Sequence, residues 1–236
     1  MLGALERRLI SCYNEIDLGA CEVCKRCRLE NPNLYSKAVG AWFVGKYFEE
    51  QEKRVLFIGK NARGMPAKEY DENKNTKGFL DEFRYSRENL MGKSWPYWRY
   101  TKEISVRLFG DLSMEAIAFT NMVKCNESDK NDTTTDSMKG HCIGDLGVVK
   151  RGIEIIKPTH IVLYTGTFYD SWLSFAFDKV DCLSDSVISI GKKKMPYSEY
   201  KCMLNDEEIK VLRIGHPERM KKEPFVSAVV NWISNN

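Results

Sequence analysis

Four short apolar runs that do not alternate with polar residues, at 55–58 (VLFI), 116–120 (AIAFT), 160–165 (HIVLYT) and 211–215 (VLRIG), constrain the fold of this chain more than any other feature. Runs of this kind belong to strands buried on both faces, as in a parallel sheet with helices on either side. Each ends in a Gly, Asn or Thr-Gly turn signal. A helical stretch at 78–109 separates the first two runs, and another at 143–156 separates the next two, with Pro158 marking the return. The alternation predicts an α/β fold, a three-layer α/β/α sandwich with a central, mainly parallel four-stranded sheet and right-handed crossovers. An active site is expected where the carboxyl ends of those strands meet. At 236 residues and 43% hydrophobic, the chain can bury a sizeable core as one domain spanning 1–236.

Two interruptions punctuate this plan. Residues 126–140 (NESDKNDTTTDSMKG) form a polar, turn-rich loop whose backbone could not be buried without leaving its polar groups unsatisfied. Residues 187–190 and 200–204 flank GKKKMPYSE and suggest a hairpin before the last core strand. The formal charge, 36 − 33 = +3, is too small to announce a nucleic-acid partner, yet it leaves room for a local basic groove. Glu6, Arg7 and Arg8 interrupt the apolar start, so the N-terminus reads as neither a signal peptide nor a membrane anchor, and a cytoplasmic location is expected.

In a reducing compartment the eight cysteines are not expected to form disulfides. Three fall within CEVCKRC, as Cys21, Cys24 and Cys27. Cys125 and Cys142 bracket the polar loop far downstream. Cys21, Cys24, Cys125 and Cys142 are the expected metal ligands, because four soft thiolates suit a [4Fe–4S] cluster or, alternatively, a structural zinc. Cys27 is the reserve ligand, and Cys182 and Cys202 read as ordinary free cysteines.

The remaining polar signals follow strands directly. GKNARG follows the first with Lys60 and Asn61, AFTNMVKC carries Asn121, and RIGHPERMKK carries His216 and Pro217. Two amides and an imidazole are thereby expected at one sheet edge. In SWPYWRY, Trp95, Tyr97, Trp98 and Tyr100 would either stack unpaired bases or start a helix at Pro96 that packs on the core.

This combination resembles the uracil-DNA glycosylase superfamily, and within it the iron–sulfur branch of families four and five. The resemblance rests on the C-x-x-C pair, on TNMVKC at 120–125, which is similar to the T-N-x-V-K-C motif, on a further cysteine at Cys142, on KPTHIVLYTG as the next core strand, and on HPER, similar to an H-P-S loop. It implies a base flipped out of the DNA into a pocket. By the same resemblance Asn121 would read the uracil edge and Phe79 would stack on the base, while His216 would stabilise the departing base. Arg219, Lys221 and Lys222 would contact DNA phosphates. GKNARG departs from the branch's G-E-A-P-G, which carries a carboxylate. Asn61 instead resembles the asparagine that positions water in mismatch-specific and single-strand-selective relatives, so Asn61 and His216 are the expected catalytic pair.

The expected function is therefore hydrolysis of the N-glycosidic bond of uracil or a related deaminated base, with DNA as partner, a single strand being admissible. No membrane association is expected, and the chain is expected to be a monomer. A non-catalytic iron–sulfur nucleic-acid-binding protein of the same fold is the alternative. Lys60 would admit a covalent sugar adduct or an exposed phosphate contact. A P-loop is excluded because GKNARG lacks the Gly-Lys-Ser/Thr ending.

Overall fold

The computed structural model describes residues 2–34, 42–61, 87–88, 94–126, 134–218 and 220–236. Within them the protein is a mixed α/β structure with one seven-stranded sheet and seven α-helices. The strands are β1 (Phe43–Val44), β2 (Val55–Asn61), β3 (Ile117–Val123), β4 (His160–Leu163), β5 (Lys179–Ile190), β6 (Lys193–Leu204) and β7 (Glu207–Ile214). The helices are α1 (Ala4–Glu15), α2 (Glu22–Glu30), α3 (Pro96–Phe109), α4 (Asp136–Lys139), α5 (Val148–Ile156), α6 (Leu173–Ala176) and α7 (Lys222–Asn235).

The spatial strand order is β1-β3-β2-β4-β7-β6-β5. The pairs β3–β2, β2–β4 and β4–β7 are parallel, whereas β1–β3, β7–β6 and β6–β5 are antiparallel. The sheet thus has three strands beyond the four apolar runs, and the expectation of a four-stranded sheet is corrected to seven. The additions lack an unalternating apolar signature for physical reasons. Strand β1 is two residues long, and β5 is exposed along most of its length, so nothing in its sequence needs to be hydrophobic.

Alternation along the central strands sends side chains into two separate cores. Leu56, Ile58, Ala118, Ile161 and Val211 pack with α1 and α5, whereas Val55, Phe57, Ile117, Phe119, Val162 and Leu212 pack with α3 and α7. The approach of Trp42 to α5 is close enough that a Cβ on Gly152 would lie 2.3 Å from the indole ring, so that position must lack a side chain.

Two helical expectations are altered. The stretch 78–109 appears only from Pro96, a proline at the first helical position where its missing N–H costs no hydrogen bond, and residues 78–86 and 89–93 lie outside those described. The stretch 143–156 is two elements, a π-helical turn (Gly140–Asp145) and α5, divided at Gly147 with φ +57°. Within the polar loop, Thr135 caps α4 by accepting from the Met138 N–H at 3.1 Å. Among the described residues, no helix is long and apolar enough to cross a membrane.

Candidate functional site

Two groups of chemistry-bearing residues form around β3. The first is a thiol pocket. Cys24 and Cys27 stand three residues apart on α2 and therefore share a face, while Cys21 precedes them as the N-cap in extended conformation. Cys125 follows β3 directly, and Cys142 lies in the turn Gly140–Asp145. Cys24, Cys27, Cys125 and Cys142 line one pocket of about 360 Å³, its mouth included, together with Leu18, Leu34, Leu146 and Lys124. Of the four expected ligands, the structure brings Cys24, Cys125 and Cys142 to this wall. Cys27 stands there as well, and Cys21 lies beside Cys24 and close enough to act electrostatically on Cys142.

The thiols differ electrostatically. Burial pushes Cys24 up to about 12, against the Gly19 N–H that donates to its sulfur at 3.2 Å. Cys27 is drawn down to about 7, chiefly because the Cys125 thiol donates to it, and Cys125 is raised by the same bond and by its burial. Burial raises Cys142 to about 11, opposed by the Lys124 backbone N–H. Lys124 is itself fully buried, and its Nζ donates to Thr120 Oγ1 and, at 2.9 Å, to the Asn121 carbonyl. Burial lowers its ammonium to about 7, opposed by Cys142. His141 closes the rim between Glu30 (2.8 Å) and Asp145 (2.9 Å). Among the described residues, no three His, Cys, Asp or Glu side chains gather tightly enough to hold a single metal ion.

The second group lies at the carboxyl ends of the parallel strands. Gly59 pairs with Asn121 and Asn61 with Val123, so by alternation Gly59, Asn61 and Asn121 continue the face that carries Phe57 and Phe119. A Cβ on Gly59 would lie 2.4 Å from Asn121 Oδ1 and 3.4 Å from the Tyr97 ring, which sets both residues over that glycine. Asn61 is 7% exposed, and among the described residues neither its carboxamide oxygen nor its nitrogen has a hydrogen-bond partner. A buried amide with neither end satisfied carries a desolvation cost that a bound polar molecule would relieve.

His216 lies two residues beyond β7. The Glu218 backbone N–H donates to its Nδ1 at 3.2 Å, and a Glu218 carboxylate oxygen lies 4.0 Å from the same nitrogen. Tyr97 joins the two halves, its ring centred 5.8 Å from the His216 ring and 5.2 Å from that of Phe119. Its hydroxyl is buried without a partner, and burial holds its pKa well above the ordinary tyrosine value. The sequence names Tyr97 only as one of four rings in SWPYWRY, without singling it out as the ring beside His216. In the structure Tyr97, Trp98 and Tyr100 all pack on the core as α3 begins.

Phe79 and Arg219 lie outside the described residues. Lys221 and Lys222 are exposed where α7 begins, and Lys222 Nζ is 3.3 Å from a Glu103 oxygen. Lys60 alternates away from Asn61, and its Nζ sits 5.2 Å from the ring centre of Phe168, remote in direction from the amide face. No protein-family model matches the chain, and no curated protein matches it.

Gly59→Ala tests the geometry of the amide face. The new methyl would drive into Asn121 Oδ1, so the carboxamide must turn away at a cost of about 1–3 kcal/mol for a crowded contact. Base recognition is expected to weaken at least about tenfold in substrate affinity, equivalent to about 1.4 kcal/mol. Circular dichroism should be unchanged, and wild-type affinity in the variant would show that Asn121 does not read the substrate.

Proposed function

We infer that this protein is a DNA N-glycosylase of the uracil-DNA glycosylase superfamily, built as a three-layer α/β/α sandwich around its parallel strands and hydrolysing the bond between a deaminated base and deoxyribose. The observation that carries the reading is the convergence at one sheet edge of the Asn61 amide, which has no partner among the described residues, the Asn121 amide and the His216 imidazole. Asn121 offers a carbonyl and an NH₂, complementary to the N–H and C=O of a uracil edge. His216 Nε2–H donates to the base carbonyl as the C1′–N1 bond breaks and its electron pair moves onto the base. Asn61 holds the water that adds to C1′, and the water's proton passes to solvent. The stacking ring assigned to Phe79 is complemented here by Tyr97, which packs beside His216.

The thiol pocket supports a bound [4Fe–4S] cluster, with a structural zinc as the alternative, because four cysteines line it, and soft thiolates suit either group. Cys24, Cys27, Cys125 and Cys142 would hold the cluster, which when bound supplies a cross-link between α2, the end of β3 and the Gly140–Asp145 turn. Lys124 would sit against it as a buried cation while fixing the Asn121 backbone through its carbonyl.

The test is base release from oligonucleotides carrying uracil, hypoxanthine, xanthine or mismatched thymine, with wild type and Asn61→Asp compared. A carboxylate at position 61 is expected to raise the single-turnover rate by up to about 100-fold, the lower end of what one positioned base contributes, because the amide it replaces already holds the water. Base release by neither protein, with DNA still bound, would replace hydrolysis by a non-catalytic nucleic-acid-binding role.

A further inference from the structure

The β5–β6 hairpin runs past the rest of the sheet. Strand β6 pairs with β7 only from Tyr197 onward, so the four residues Lys193–Pro196, with their β5 partners, extend beyond the end of β7. At about 3.4 Å per residue the overhang is roughly 13 Å long. It projects at the carboxyl end of β7, the edge that carries His216. The turn closes at Gly191, φ +65°, and exposes Lys192, Lys193 and Lys194 in succession.

The overhang is held against the His216 loop. A Cβ on Gly191 would lie 2.8 Å from Lys221 Cδ, and one on Gly215 would lie 3.1 Å from Cγ of the fully buried Met195. Gly215 immediately precedes His216. The hairpin tip and the start of α7, distant in sequence, therefore bring five exposed lysines, Lys192, Lys193, Lys194, Lys221 and Lys222, to one corner beside the proposed catalytic imidazole. Within this corner Lys222 lies 3.3 Å from a Glu103 oxygen, a carboxylate that also serves Arg107.

We propose that the β5–β6 hairpin tip is a second clamp on the nucleic-acid backbone, in which Lys192 and Lys194 take phosphates flanking those bound by the His216–Lys222 loop. The proposal rests on the DNA-glycosylase reading for its ligand and deepens it by assigning the backbone contacts to two separate elements. Phosphate is the complementary partner because several lysine ammoniums spread along a ridge match charges spaced along a strand, and each contact releases a condensed counterion.

The test is fluorescence anisotropy of full-length protein with a labelled oligonucleotide containing uracil, single-stranded and duplex, between 50 and 200 mM salt. Lys192→Ala with Lys194→Ala is expected to weaken binding and to reduce the slope of log affinity against log salt by about two, one per lost phosphate contact. Lys192→Arg with Lys194→Arg should keep the wild-type slope. Single-turnover cleavage at saturating protein should be unchanged, since the clamp does not touch the reacting bond. A wild-type slope in the double alanine variant, with DNA still bound, overturns the clamp and leaves the glycosylase reading intact. Failure of the wild-type protein to bind either oligonucleotide overturns both.

Discussion

With the proposed cluster bound, Cys125→Ser is expected to abolish its binding and to destabilise the fold by several kcal/mol. Cys125 joins the end of β3 to α2 through the Cys27 sulfur and stands with Cys142 on the same wall. A serine oxygen is a poor ligand for iron, and ligation free energy in such sites is folding free energy. Iron and acid-labile sulfide should fall to background in the purified variant, and the melting temperature should drop by more than about 10 °C at 2–4 °C per kcal/mol for a chain of this size. The pocket also orders the remaining cysteines. Cys27→Ser should behave like Cys125→Ser, whereas Cys21→Ser and the exposed Cys182→Ser should retain iron. Full iron content in Cys27→Ser together with loss in Cys21→Ser would restore Cys21 to the ligand set and show that α2 rotates when the cluster binds.

The choice between Cys21 and Cys27 marks how far a sequence can be read. CEVCKRC contains two overlapping C-x-x-C pairs, and spacing alone cannot choose between them. Helix geometry puts Cys24 and Cys27 on one face of α2, and Cys21, the residue before the helix, stays in contact with Cys24, so all three remain near the pocket. The buried strands were legible because both their faces need apolar side chains, and each of the four runs falls within or beside a strand. The hairpin was legible as a hairpin but not in its length. Strand β5, 12 residues with mostly exposed side chains, carries no hydrophobic pattern from which to measure an end, and β6 buries residues at irregular intervals. Asn61, Asn121 and His216 could be placed at one edge from their positions after strands. Their coupling through Tyr97 and the bare surface of Gly59 depends on how α3 docks, a long-range contact that periodicity does not encode.

The second large effect is expected at His216. Its Nδ1 accepts from the Glu218 N–H at 3.2 Å and the Tyr97 ring packs beside it, so in the proposed function the imidazole is positioned before the base arrives. A donor fixed before the reaction stabilises charge that exists only as the glycosidic bond breaks, and such a group contributes to the transition state far more than to binding. His216→Ala should therefore lower the single-turnover rate of base release by about 10²–10³, or about 2.7–4 kcal/mol, with DNA affinity nearly unchanged. Lys221→Ala with Lys222→Ala should do the reverse, weakening binding and flattening its salt dependence while sparing the rate at saturation. The opposed signatures separate chemistry from docking within one loop. A His216→Ala protein that binds DNA more weakly but, once saturated, releases base at the wild-type rate would sink the leaving-group role and recast His216 as a contact to the backbone.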